Sequence, residues 1–101
     1  MGLKPRLAFL ATHYGLRHQL GKLREEIREL DDAILEHEQF HNPYTKAHIA
    51  EELADVYVVA RQIMHLMNIQ VSEMVDRAEF KTNRQMWRVQ KNERGTDPCP
   101  N

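Results

Sequence analysis

Leucine and isoleucine recur at helical spacing along the first half of this chain. The repeating positions are Leu16, Leu20, Leu23, Ile27, Leu30 and Ile34, which are separated by steps of 4, 3, 4, 3 and 4 residues. Side chains at this spacing share one face of a helix, which we expect to run to about Glu38. The segment from Phe40 to Pro43 ends this helix, because the residue before a proline is pushed out of helical conformation.

A second long helix is predicted from near Thr45, whose hydroxyl can cap its first turn. One apolar line along it comprises Ile49, Val56, Val59, Ile63 and Leu66, with Glu52 among them, and a parallel line comprises Leu53, Tyr57, Ala60, Met64 and Met67. Apolar residues cover more than half of its circumference, so a single neighbouring helix is too little cover. We therefore expect it to lie in the middle of a bundle.

Two further helices flank the long pair. Pro5 suits the first turn of a short helix ending near Tyr14, and Ser72 can cap a third long helix from Glu73 to about Lys91. These patterns predict an all-α fold, a helical bundle with two long antiparallel helices plus flanking helices. The expected domain covers residues 1–91, and the polar residues 92–101 are expected to form a flexible tail.

Length and composition limit the binding partners and the cellular location that we expect for this chain. A chain of 101 residues holds one domain at most, and a domain of this size often completes its core with a partner subunit. Charged residues make up 29% and the net charge is -1, so neither nucleic acid nor a membrane surface is an expected partner. The single cysteine, Cys99, suits a reducing cytoplasm, and no apolar run reaches the ~18 residues of a membrane-spanning helix.

Two acidic clusters stand at matching places on the two long helices. The first is Glu25-Glu26-x-x-Glu29 and the second is Glu51-Glu52-x-x-Asp55. Acids three residues apart point off one side of a helix, so packing the two helices side by side gathers four carboxylates. These charges repel one another unless a cation lies between them, and all-oxygen ligands favour Mg²⁺, with Mn²⁺ as a substitute. A phosphate-handling enzyme is therefore the leading hypothesis.

Glu52 is the most informative of these acids. It lies between Ile49 and Val56 on the most apolar line of the second helix, where an ionised carboxylate costs several kcal/mol unless it is paired, metal-bound or neutralised. Glu26 and Asp55 border the same kind of surface. The alternative for Glu52 is a buried salt bridge to a basic residue, and for the other acids, Glu25 above all, an ordinary solvated helix face.

The segments KLREEIREL and AEELADVYVVARQI resemble the EExxE…ExxD signature of the MazG-like all-α nucleoside triphosphate pyrophosphohydrolases, and the resemblance extends from about His18 to Trp87. It implies Mg²⁺-dependent cleavage of a nucleotide between the α and β phosphates, giving a monophosphate and pyrophosphate, often as nucleotide-pool house-cleaning. It also implies a helical bundle completed as a homodimer or homotetramer.

The same resemblance implies roles for individual residues. The metal ligands fall on Glu26, Glu29, Glu52 and Asp55. Glu25 becomes an accessory ligand or orients the attacking water, and either Glu25 or Glu29 can accept the proton of that water. The segment FKTNRQMWR resembles the family's phosphate-binding basic motif, which makes Lys81, Asn83 and Arg84 candidate substrate-binding residues, with Lys22 as a further candidate. Candidate walls of the base pocket are His18, Tyr57, Phe80 and Trp87.

Two alternatives stay open. Phosphoribosyl-ATP pyrophosphohydrolases share the acidic motifs and the reaction type but act on a different substrate. A small helical interaction module is the alternative from another class, with apolar lines that bind a second helical protein and acids that are solvated. Glu52 separates the two classes, because Glu52→Leu stabilises an interaction module but abolishes Mg²⁺ binding and activity in an enzyme.

Overall fold

The computed structural model describes residues 2–93, which form four α-helices and no strand. The helices are α1 (Leu3–Tyr14), α2 (Leu16–Phe40), α3 (Pro43–Leu66) and α4 (Val71–Glu93). The predicted all-α class is confirmed. Among the helices of this described part, none is long and apolar enough to cross a membrane.

The chain divides into two compact units, the first ending at Asn68 and the second beginning at Ile69. In the first unit, α2 and α3 form an antiparallel hairpin. His37 meets Thr45 beside the turn, and Gln19 meets Gln62 at the far end. The predicted single domain over residues 1–91 stays a prediction, and most of the predicted tail, with Cys99, lies outside the described residues.

Helix α1 packs against both long helices of the first unit and buries Leu7 and Ala11. Its end at Tyr14 is marked by Gly15, whose φ of 84° lies in the left-handed region that a side chain with a Cβ rarely adopts. Helix α3 consequently contacts α1 as well as α2, as its broad apolar surface predicts.

The buried side of α2 differs from the predicted apolar line. Its buried or half-buried residues are Leu16, Gln19, Lys22, Leu23, Glu26, Leu30, Ala33 and His37, whereas Leu20, Ile27 and Ile34 are exposed. The apolar arc of α2 is wider than its contact with α3, so the rotation of the helix about its axis leaves part of that arc uncovered.

The turn between α2 and α3 is built on Asn42. His41 adopts the left-handed conformation at φ 45° and ends α2. Asn42 Oδ1 then accepts hydrogen bonds from the backbone N–H groups of Tyr44 (2.9 Å) and Thr45 (3.0 Å), and Thr45 Oγ1 accepts one from Asn42 N–H at 3.1 Å. The predicted cap at Thr45 is wrong, because Thr45 is the third helical residue of a reciprocal capping box that begins at Asn42.

Helix α4 belongs to the second unit. It begins at Val71, so the prediction that Ser72 caps it is wrong, and Ser72 lies within its first turn. Thr82 Oγ1 donates to the carbonyl oxygens of Ala78 (2.9 Å) and Glu79 (3.0 Å), an arrangement that a hydroxyl in the middle of a helix commonly adopts.

Candidate metal centre

Three acidic side chains meet where α2 crosses the middle of α3. Glu26 comes from α2, and Glu52 and Asp55 come from consecutive turns of α3. Each offers a carboxylate oxygen, and these oxygens all lie within 4.8 Å of one another. We call these three residues the carboxylate cluster. The i, i+3 spacing on α3 places Glu52 and Asp55 on one face of that helix, and the antiparallel register brings Glu26 to the same level.

Two of these three carboxylates are withdrawn from solvent, unlike those of a solvated helix face, whereas Asp55 is exposed. Glu26 is only 4% exposed, and the side chain of Glu52 is only 12% exposed. Glu26 Oε2 and Glu52 Oε2 are buried without a hydrogen-bond partner. An unpartnered buried carboxylate oxygen carries a desolvation cost that a bound cation removes. Two such oxygens beside a third carboxylate fit a hard divalent cation such as Mg²⁺ or Mn²⁺.

Lys22 supplies positive charge on one side of the cluster. Its Nζ lies 3.1 Å from Glu26 Oε1 and 3.6 Å from Glu25 Oε2. The hydrogen bond to Glu26, followed by the charge of Glu25, raises the pKa of the Lys22 ammonium above its usual value. The salt bridge from Lys22 engages Oε1 of Glu26 and leaves Oε2 of the same carboxylate unpartnered.

His48 supports the other side of the cluster. Its Nε2 lies 3.3 Å from Glu52 Oε1, and its Nδ1 lies 3.4 Å from Glu36 Oε1. The hydrogen bond to Glu36 raises the pKa of His48, against partial desolvation, which lowers it, and the charge of Glu52 adds to the increase. His48 shows no metal-ligand spacing in the sequence, although its place four residues before Glu52 puts both on one face of α3.

Glu29 and Glu25 stand at the edge of the cluster. Glu29 is exposed and is not among the three residues whose oxygens converge. Its pKa is nevertheless raised, first by desolvation and then by the negative charge of Glu26, with smaller contributions from Glu52 and Glu25. Glu29 is therefore close enough to interact with the cluster, and its role as a metal ligand stays a prediction, as does the catalytic role of Glu25.

A cavity of about 610 Å³ opens beside the carboxylate cluster. Its lining comprises Tyr14, His18, Gln19, Gly21, Lys22, Glu25, Glu26, Asp55, Val58, Val59 and Gln62. This volume lies within the range of roughly 300–1,000 Å³ that small-molecule sites occupy. Of the predicted base-pocket walls, His18 lines this cavity and Tyr57 does not.

The predicted phosphate-binding residues of the basic motif lie on α4. Lys81, Asn83 and Arg84 have exposed side chains, and the Arg84 guanidinium is 5.9 Å from the centre of the Phe80 ring. Phe80 and Trp87, the remaining predicted walls, also lie on α4. Because α4 belongs to the second unit, the roles of all these residues stay predictions.

The antiparallel helices, the carboxylate cluster and the cavity agree with the class that the motifs resemble, the all-α pyrophosphohydrolases. The family model described as phosphoribosyl-ATP pyrophosphohydrolase matches residues 4–81, and the chain belongs to this family. The family lies within the MazG-like all-α superfamily. The match therefore confirms the predicted superfamily and the prediction that the chain is an enzyme acting on phosphorus anhydrides.

The match does not extend to a specific MazG assignment. Pyrophosphohydrolases of this family usually use a divalent metal ion, in agreement with the carboxylate cluster. Comparison with curated proteins and with solved structures gave no match.

Proposed function

We propose that this chain is a Mg²⁺-dependent pyrophosphohydrolase that cleaves a (deoxy)nucleoside triphosphate between the α and β phosphates. Water adds to a phosphorus atom of the anhydride, the P–O bond breaks, and the products are the nucleoside monophosphate and pyrophosphate. The observation that supports this proposal most directly is the pair of buried, unpartnered oxygens of Glu26 and Glu52 beside a nucleotide-sized cavity.

In this proposal, Glu26, Glu52 and Asp55 hold the metal ion, with Glu29 completing the set. When bound, the divalent ion neutralises phosphate charge and increases the acidity of water. Mn²⁺ can replace Mg²⁺ with the same oxygen ligands.

The remaining residues bind the substrate and handle the water. Glu25 lines the cavity and is placed to orient water or to accept its proton, a role that Glu29 shares in the proposal. Lys22 lines the same cavity, so its ammonium can bind a phosphate oxygen. Lys81, Asn83 and Arg84 of the basic motif are proposed to bind the outer phosphates.

Phosphoribosyl-ATP is the second candidate substrate, because the description of the matching family names it. It contains the same triphosphate chain, so the metal site serves either substrate equally. The two differ at the base end of the molecule, where phosphoribosyl-ATP carries an additional ribosyl phosphate. The identity of the substrate is therefore decided away from the carboxylate cluster.

The test is a panel of canonical and modified nucleoside triphosphates together with phosphoribosyl-ATP, each with Mg²⁺, Mn²⁺ or a chelator. We expect metal-dependent release of pyrophosphate and no release of orthophosphate. Nucleoside triphosphates should be the better substrates, in line with nucleotide-pool house-cleaning. Release of orthophosphate, or no pyrophosphate from any compound, would contradict the proposal, and activity on phosphoribosyl-ATP alone would favour the second substrate.

We also propose that the enzyme works as a homodimer or homotetramer in the cytoplasm. Large apolar side chains of the first unit are exposed in the single chain, among them Leu20, Ile27 and Ile34 on α2 and Leu53 and Tyr57 on α3. Apolar surface of this extent typically marks a protein–protein contact. The cytoplasmic location rests on the single cysteine.

A further inference from the structure

Two glutamine side chains are buried against each other at the end of the α2–α3 hairpin that lies away from the turn. Gln19 and Gln62 are each only 3% exposed, and Gln19 Nε2 donates a hydrogen bond to Gln62 Oε1. Gln19 Oε1 lies 2.7 Å from His18 Nδ1, which donates to it when that nitrogen carries the proton. We call Gln19 and Gln62 the amide pair. Apolar side chains of similar size at both positions would serve stability as well or better, so packing alone does not require amides here.

The amide pair lies in register with the carboxylate cluster. Gln19 precedes Glu26 by seven residues on α2, and Gln62 follows Asp55 by seven residues on α3. Seven residues are two helical turns, or about 10 Å along the axis. Because the helices are antiparallel, both amides are displaced in the same direction, and all four of these side chains line the one cavity.

We propose that the amide pair recognises the nucleobase in this cavity by hydrogen bonds, while the carboxylate cluster serves the phosphates and the sugar spans the distance between them. This inference rests on the proposed function. A carboxamide offers an N–H donor and a C=O acceptor side by side, which complements the alternating donors and acceptors on the edge of a base. A buried amide whose partner is missing also penalises the wrong base more than an apolar wall does.

Two features of the same cavity support this placement. The rings of Tyr14 and His18 are stacked with centroids 4.9 Å apart and an interplanar angle of 16°, and both line the end that holds the amide pair. Planar aromatic walls of this kind commonly accompany base recognition.

Gly21, the second feature, lies inside α2 and also lines the cavity. A Cβ at this position would meet no protein atom within 4 Å. The fold therefore does not need glycine there, although glycine weakens a helix relative to alanine. Close approach of a ligand accounts for a glycine at this point of the cavity wall.

The experiment compares wild type with the double variant Gln19→Met/Gln62→Met, which removes both amides and leaves no orphaned partner. The substrates are the nucleoside triphosphates of the common bases and ribose 5-triphosphate, which has no base. We expect wild type to rank the bases. In the double variant, the ratio of kcat/KM for the best nucleotide to that for ribose 5-triphosphate should fall by about 10- to 100-fold. Gln39→Met is the matched control, because Gln39 is exposed on α2 and does not line the cavity.

Circular dichroism and thermal unfolding show whether the double variant is folded. Gln62→Glu provides a second variant, because it keeps an acceptor for Gln19 but removes the amide donors. We expect it to change the ranking of the bases. An unchanged ratio and ranking in the folded variants, or a wild type that does not discriminate between bases, would overturn the inference.

Binding of α,β-methylene nucleotides, measured by calorimetry with Mg²⁺, separates this inference from the proposed function. Base-selective binding that the double variant loses supports the inference even if the wild type hydrolyses no nucleotide. Pyrophosphate release with the same ranking in wild type and variant supports the proposed function and refutes the inference. Absence of any nucleotide binding refutes both.

Discussion

Glu52 is the acid whose surroundings differ most from those of an ordinary solvated carboxylate. It occupies an apolar line of α3, one of its oxygens faces His48, and the other is buried without a partner. A carboxylate in this position lowers the stability of the metal-free protein, because it is desolvated close to Glu26 and Asp55. A bound cation would remove this desolvation cost. A substitution that changes the charge of the side chain but not its shape tests this explanation.

Glu52→Gln keeps the size of the side chain and removes its charge. We expect Mg²⁺ affinity and pyrophosphate release to fall by more than the roughly 10- to 100-fold that is typical of losing a partner of a metal ligand. Thermal stability in chelator should be unchanged or higher, because repulsion within the cluster decreases. Calorimetric titration with Mg²⁺ and a pyrophosphate assay measure both effects. Glu51→Gln is the control, since Glu51 is the exposed neighbour, and equal losses in the two variants would contradict the assignment.

His48 makes the stability of the metal-free protein depend on pH. Its pKa is raised above 6.5 in the folded chain, chiefly by the hydrogen bond to Glu36. A raised pKa means that protonation favours the folded state. This contribution is fully present below the unfolded pKa of 6.5 and is lost as the pH rises through the higher folded pKa.

The measurement is the melting temperature in chelator across this window. We expect His48→Gln to flatten the decrease on the alkaline side. Glu36→Gln should flatten it in part, because it removes the largest cause of the raised pKa. An undiminished slope in His48→Gln would show that another group is responsible.

The turn between α2 and α3 sets the register that brings Glu26 level with Glu52. The reciprocal hydrogen bonds of Asn42 and Thr45 begin α3 immediately after α2 ends. A cap three residues later, at Thr45 as predicted, would leave more chain in the turn and less restraint on the register. The capping box therefore contributes to the site although it lies at the end of the hairpin.

Asn42→Ala removes the side chain that accepts two backbone N–H groups. We expect the free energy of unfolding to fall by about 1 kcal/mol, measured by urea denaturation. Asn42→Ser should retain most of the stability, because serine is also a good N-cap residue. A loss as large in the serine variant as in the alanine variant would argue against capping as the cause.

Alanine substitutions at Gly21 and Gly15 are expected to change the stability of the protein in opposite directions. Gly21→Ala should raise the free energy of unfolding by up to about 1 kcal/mol, because alanine is the better helix former. It should also raise KM, since its methyl group projects into the cavity.

Gly15→Ala should lower stability instead, because φ at Gly15 is 84°. Denaturant unfolding together with steady-state kinetics distinguishes the two substitutions. An unchanged KM in Gly21→Ala would mean that no ligand approaches this turn of α2.

In the single chain, a row of large apolar side chains on α2 is exposed to solvent. Leu20, Ile27 and Ile34 recur every seven residues on α2, and Ile27 is 50% exposed. Residues seven apart lie almost in line along a helix, so they form a continuous stripe beside the buried face. A stripe of this kind suits a neighbouring helix of another subunit.

Analytical ultracentrifugation of the wild type should therefore show a dimer or a tetramer. Ile27→Glu should shift the distribution toward monomer with its helicity retained, because the substituted side chain is half exposed in the single chain. Gln39→Glu adds the same charge at another exposed position of α2 and should leave the assembly unchanged. A monomeric wild type would refute the prediction.

The pattern of residues along the chain is enough to predict the all-α class, the two long helices, and the face of each helix on which its acids lie. Helical periodicity is a local property of the chain. Side chains three, four or seven residues apart lie on one face of a helix, so the spacing alone identifies each face. The same property identified Glu52 as an acid on an apolar line, and the motifs around it led to the superfamily. These conclusions needed no knowledge of which helices touch.

The burial and the partners of individual side chains depend on the neighbouring helix, so only the packed structure shows them. The apolar arc of α2 is wider than its contact with α3, so only packing could show that Glu26 is buried while Ile27 is exposed. The interactions of His48 and of the amide pair involve partners on the other helix. His48 contacts Glu36 on α2, and Gln19 on α2 contacts Gln62 on α3. Asn42 and Thr45 both suit a helix start, and the geometry of the turn selected Asn42. The spacing of residues along the chain predicts which of them share a face of a helix. The rotation and register of the packed helices determine which side chains that face contacts.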